Sequence, residues 1–238
     1  MGAPQAAAEC ARNQEKPLGR MKKKTIMGGV LAALLAGGVA AFAVVWRPAI
    51  AAIDPPKPKS FNVELVKRGR ELAAIGNCHD CHTVRGGRNL AGGLPVPTPF
   101  GAIYSSNITP DAESGIGRWS EEAFQRAMRS GVDREGRHLY PTFPYDHFTN
   151  VSDDDNRALY AYLMTREPVH APARRNELAF PLDQRFVVAG WKLLFLRRDG
   201  FRPDPARGSA WNRGAYLVEG LAHCGACHTP RNALEPSD

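Results

Sequence analysis

The stretch Cys78-His79-Asp80-Cys81-His82 decides the fold, and it returns near the end of the chain as Cys224-Gly225-Ala226-Cys227-His228. Two thiols three positions apart at a helix end can each add to one vinyl group of a haem, and the adjoining imidazole then meets the iron. Cys78, Cys81, Cys224 and Cys227 are therefore expected to hold haem c covalently at two sites, with His82 and His228 as the proximal iron ligands. A bare Cys-x-x-Cys also occurs as a redox disulfide, which wants a low-pKa thiol, or as half of a zinc cage. Neither explains a trailing His in both copies. The fifth cysteine, Cys10, lies in an Ala-rich leader and reads as an unpaired thiol.

Upstream of the first motif, residues 26–46 are uncharged and mostly apolar, preceded by Arg20, Lys22, Lys23 and Lys24 and followed by Arg47-Pro48. At about 1.5 Å per residue the run spans a hydrocarbon core of roughly 30 Å. This favours an uncleaved anchor over a signal peptide, whose apolar run is about 7–15 residues, although the small residues around Ala49-Ile50-Ala51 leave cleavage open. The basic leader, residues 1–25, stays inside the inner membrane and everything after residue 50 is exported to the periplasm. Met21-Lys22-Lys23-Lys24 looks like a more natural start than Met1. The Pro-rich stretch of residues 47–59 reads as a stiff, solvated stalk.

The first globular unit is expected over residues 60–170. A helix from Val63 to about Gly76 carries Leu65, Val66, Leu72 and Ile75 on one stripe and leads into the cysteines. Gly69 inside it costs about 1 kcal/mol relative to Ala, which a tight crossing with the closing helix would explain. That closing helix begins at Ser152, with Asp153, Asp154 and Asp155 filling its first turn on the favourable end of the dipole. A third helix starts at Ser120-Glu121-Glu122 and ends at Gly131. The segment Thr83 to Arg118, rich in Gly and Pro, is a long loop that would wrap a haem edge, with Arg85, Arg88 or Trp119 near the propionates.

The loop residues Gly92-Gly93-Leu94-Pro95, Thr98-Pro99-Phe100-Gly101, Tyr104 to Asp111 and His138-Leu139-Tyr140-Pro141 resemble the membrane-bound multihaem cytochrome c subunits of bacterial dehydrogenases. So do Tyr160-Ala161-Tyr162-Leu163-Met164 and Trp211 to Leu217. The resemblance implies an all-α fold: a cytochrome c domain behind an N-terminal transmembrane helix, followed by further haem domains. It also implies partners, namely a periplasmic dehydrogenase large subunit as donor and quinone or a terminal oxidase as acceptor. Members often place Met after Tyr-Pro-x as sixth iron ligand, whereas here Tyr140-Pro141-Thr142 is followed by Phe143. His147 is the first candidate to replace it at the first haem, because imidazole suits iron. Met128 and Met164 sit at core spacing. His138 and His170 read as surface or hydrogen-bonding residues, and His79 and His223 as solvated neighbours of the motifs.

Residues 171–208 form a linker containing an apolar helix over Phe186 to Leu196, too short to span and followed by Arg197-Arg198. It is suited to a membrane surface, to a partner subunit, or to burial between two haem domains. The second unit, residues 209–238, repeats the first: Arg213-Gly214 and Tyr216-Leu217 echo Arg68-Gly69 and Glu71-Leu72, with one residue inserted before the cysteines. About thirty residues are too few to bury a haem, so this is expected to be the start of an incomplete, truncated cytochrome c domain whose haem site is unfinished.

Residues 1–25 account for +4 of the formal net charge of +7, and two haems add about four propionates. No basic stripe remains for phosphates, which argues against a nucleic-acid partner. An electron-transfer subunit without substrate chemistry of its own is expected. The alternative is a peroxidase-like haem enzyme with an open iron position opposite Phe143.

Overall fold

A computed structural model describes residues 18–229. Most of the basic leader, with Cys10, and residues 230–238 lie outside the described residues. Helix α1 runs Leu18–Val45 as a unit of its own. Its stretch Thr25–Ala43 has a mean hydropathy of 2.1, long and apolar enough to cross a membrane, and none of it is buried.

The globular part starts at Trp46. Helix α2, Val63–Ile75, is capped by Asn62, whose side chain accepts from the Glu64 and Leu65 amides. The first motif forms the short helix α3, Cys78–His82. Strands β1, Pro95–Thr98, and β2, Gly101–Tyr104, make an antiparallel hairpin. Helix α4, Glu121–Ser130, begins where the Ser120 hydroxyl accepts from the Ala123 amide, and it ends at Gly131 in the left-handed conformation. After the short α5, Tyr145–Phe148, the closing helix α6 runs Asp153–Met164. Strand β3, Glu177–Leu178, precedes the linker helix α7, Arg185–Phe195. The second unit of the repeat contributes α8, Ser209–Tyr216, a π-helical turn over Leu217–Leu221, and α9, Gly225–His228.

Helices α2 and α6 cross at Gly69, where a Cβ would lie 1.9 Å from the Ala158 carbonyl oxygen and 2.7 Å from the Tyr162 Cβ. The propensity lost at that glycine is the condition of the close approach. Around the crossing, Leu72, Phe124, Phe148, Leu159, Leu163 and Met164 form the core, and Leu221 of the second unit is fully buried in the same cluster.

Two expectations need correction. The fold is mostly helical, not all-α: β1, β2 and β3 form a three-stranded antiparallel sheet. Pro95 and Pro97 are tolerated because β1 is an edge strand, where missing N–H groups leave no ladder gap. The segment Thr83 to Arg118 is therefore no plain loop. The first half of the Pro-rich stretch is also no free stalk, since the Ile50 and Ile53 amides donate to the Arg134 and Arg118 carbonyls at 2.8 and 3.1 Å. Asp155 stands in the first turn of α6, as expected, and is 1% exposed.

Candidate functional site

Asn77, at φ 51°, breaks the chain out of α2 and lets it turn into α3. Cys78 packs against the core while Cys81 is exposed, and the motif cysteines are all free thiols. Burial, with a contribution from Cys81, pushes the Cys78 thiol up to about 12. Burial, then Asp80 and Cys227, raises Cys81. A thiol–disulfide catalyst needs the opposite, a depressed thiol. Among the described residues no group of three or more His, Cys, Asp and Glu side chains converges to hold a lone metal ion.

His82 is oriented by the backbone that follows β2. Its Nδ1 lies 2.6 Å from the carbonyl oxygen of Ser106, just beyond β2. A carbonyl only accepts, so Nδ1 carries the proton and Nε2 offers its lone pair. Burial lowers the His82 pKa against that bond, which keeps the ring in the neutral form that binds iron. The Gly92 amide donates to the His82 carbonyl at 2.7 Å. At Gly92, φ is +72° and a Cβ would stand 2.4 Å from the Ser106 carbonyl carbon. Only glycine lets this loop close on the segment that aims the imidazole. Leu90, Ile108, Ile116, Trp119, Met128 and Phe143 line the apolar cluster beside Cys78. Free paired thiols, an imidazole with bare Nε2 and an apolar wall fit a covalently held haem.

The second motif repeats this local construction. His223, at φ 41°, takes the place of Asn77 before Cys224. The inserted residue is absorbed by the π turn Leu217–Leu221, since a π turn accommodates one extra residue in a helix. Cys224, Cys227 and His228 are exposed. The two motifs share one core: Cys78 packs on the cluster that buries Leu221, and a Cβ on Gly76 would lie 3.0 Å from the Leu221 side chain.

His147 lies against the second haem unit. Its Nδ1 donates to the Glu219 carbonyl at 3.0 Å, and its Cε1 would lie 3.1 Å from a Cβ on Gly225, so these partners belong to the second unit. Met128 and Met164 are buried core residues. Arg88 pairs with Glu167. His170 lies 3.6 Å from Asp111, and His138 is buried with Nδ1 3.3 Å from Lys192.

Sequence reasoning missed Asp155. Arg68 Nε donates to its Oδ1 at 2.8 Å, Tyr216 donates to Oδ2 at 2.7 Å, and Arg213 Nη1 approaches Oδ2 at 3.5 Å. Arg68 and Arg213 are equivalent positions of the repeat, so one buried carboxylate ties both units together. The available signal was the repeated Arg-Gly pair.

The cytochrome c family profile matches residues 66–167. The chain is 54% identical over 208 residues to a subunit of nicotinate dehydrogenase from Pseudomonas putida, covering 87% of this chain and 17% of that protein. It is 49% identical over 173 residues to the gluconate 2-dehydrogenase cytochrome c subunit of Pantoea cypripedii, covering 72% and 39%. With a diheme cytochrome c-type protein of Cereibacter sphaeroides it shares 34% identity over 227 residues, covering 89% of this chain and 71% of that one. The chain belongs to the cytochrome c family, and the nicotinate and gluconate relatives it resembles are named as dehydrogenase subunits. Haem c and electron transport come with that membership. The chain spans well under half the length of the nicotinate and gluconate relatives.

Proposed function

We propose that this chain is a membrane-anchored electron-transfer subunit, its globular part in the periplasm, that takes electrons singly from a partner dehydrogenase and passes them towards quinone or a terminal oxidase. The observation that supports this reading best is that the two Cys-x-x-Cys-His motifs are built onto one core, Cys78 packing on the cluster that buries Leu221, three residues before Cys224. Bound haem supplies reversible one-electron chemistry. The chain's residues attach and aim it: Cys78, Cys81, Cys224 and Cys227 fix the ring, and His82 and His228 present imidazole to the iron. His147, wedged at the second motif, acts in this reading at the junction of the two haem units. Choice of substrate stays with the dehydrogenase, in keeping with relatives named for substrates as different as nicotinate and gluconate.

The anchoring part of the proposal rests on the span Thr25–Ala43 and on the basic residues before it, which by the positive-inside rule keep that end in the cytoplasm. Production in a host that matures c-type cytochromes, followed by reduced alkaline pyridine spectra, is expected to give two covalent haems per chain. A colourless product overturns the proposal. Phe143, half-buried in the apolar cluster where Met is common in the family, favours a second reading as a haem enzyme. Fast carbon monoxide binding by the first reduced haem supports that reading, and its absence supports electron transfer alone.

A further inference from the structure

Helix α7 buries one face and leaves the other bare. Val188, Ala189 and Lys192 are 5%, 2% and 5% exposed, whereas Phe186, Leu193 and Leu194 are 56%, 64% and 77% exposed. The exposed three lie at i, i+7 and i+8, a single helical stripe, and Phe180, 81% exposed, precedes them. Arg197 and Arg198, both exposed, follow the helix directly. An apolar stripe edged by arginines matches the composition of helices that lie in the headgroup region of anionic bilayers.

The position of α7 supplies the second observation. Lys192 donates to the Ser130 carbonyl at 2.8 Å and also to that of Gly131. The turn after Gly131 also receives the start of the globular unit: a Cβ at Gly136 would lie 2.1 Å from the Arg47 carbonyl oxygen, and the Ile50 amide donates to Arg134. Helix α7 and Arg47 thus pack on the same short segment. Val45, the last residue of α1, is two residues from Arg47 and so within about 7 Å of it in any direction the helix takes. Arg198 and Arg47 both bear on Lys192 and help to lower its pKa, consistent with cations gathered at this corner.

We propose that the exposed face of α7, Phe186, Leu193 and Leu194 with Phe180, docks into an anionic bilayer surface at the mouth of the transmembrane helix, with Arg197 and Arg198 on the lipid headgroups. The inference rests on the anchoring reading above and adds a second, peripheral attachment to it. That attachment would hold the globular unit down against the membrane.

The test uses the full chain carrying haem, with Cys10→Ser and Leu194→Cys, reconstituted in vesicles. The motif cysteines are blocked by haem, so a water-soluble maleimide reports position 194 alone. Expected is labelling about tenfold slower in vesicles containing phosphatidylglycerol than in vesicles of phosphatidylcholine alone. Arg197→Glu with Arg198→Glu is expected to restore the fast rate, while Glu167→Cys, on an exposed site, labels fast throughout. Equal rates in the two kinds of vesicle overturn the docking. A chain removed from the vesicles by carbonate overturns the anchoring reading together with this one, whereas a carbonate-resistant chain with fast labelling overturns the docking alone.

Discussion

Asp155 sits where the two arms of the repeat meet, receiving Arg68, Arg213 and Tyr216 on a carboxylate that water scarcely reaches. Both arginines remain about half exposed, 51% and 49%, so removing the acid strands no buried cation. The loss is that of charge-assisted bonds and of the tie they make. Asp155→Ala is expected to lower stability by about 2–3 kcal/mol, below the usual cost of breaking a fully buried pair. Urea unfolding measures this, and hydrogen exchange should rise over residues 209–228 more than over α2. If exchange rises evenly, the carboxylate is not what joins the units. Asp155 illustrates what a residue-level reading misses: an aspartate in a first helical turn looks like a charge on the dipole, and only the distant arginines decide its burial. The motif residues were legible because their chemistry is written in five consecutive positions. The acceptor that aims His82 was not, since it is a backbone carbonyl at Ser106 and carries no side-chain signal.

Helix starts were legible for a local reason: Ser120 and Ser152 each bond an amide three residues on, so the cap and its target lie in one window of sequence. Gly69 was legible too, and Gly69→Ala tests it. The added methyl meets the Ala158 backbone at 1.9 Å, and the helices must separate, at an expected cost of about 1–3 kcal/mol despite the gain in helix propensity. A variant as stable as the wild type would mean that the crossing is looser than drawn. The sheet escaped because β3 pairs with β2 across a long sequence separation and is two residues long. Helix α7 carries a pH dependence. Burial, then Arg198, Arg47 and Arg185, brings Lys192 down to about 7, against about 10.4 for an unfolded lysine. Between those values the unfolded chain binds the proton and the folded chain does not, so stability rises with pH across that window. Urea midpoints at pH 6.5 and 9.5 should show the rise in the wild type and a flatter response in Lys192→Met.

At the level of the whole molecule, the repeat was visible from its motifs, but its packing was not. Leu221 in the common core, Gly76 against Leu221 and His147 against Gly225 make residues 209–228 an integral part of the first haem unit's structure. The sequence suggested an appended fragment because spacing along the chain says nothing of which surfaces meet. Two copies of a module usually drift apart freely once each has its own contacts. Here the arginines at 68 and 213 answer to one acid, so neither copy can be retuned in isolation: a substitution at one arginine alters the grip on its twin.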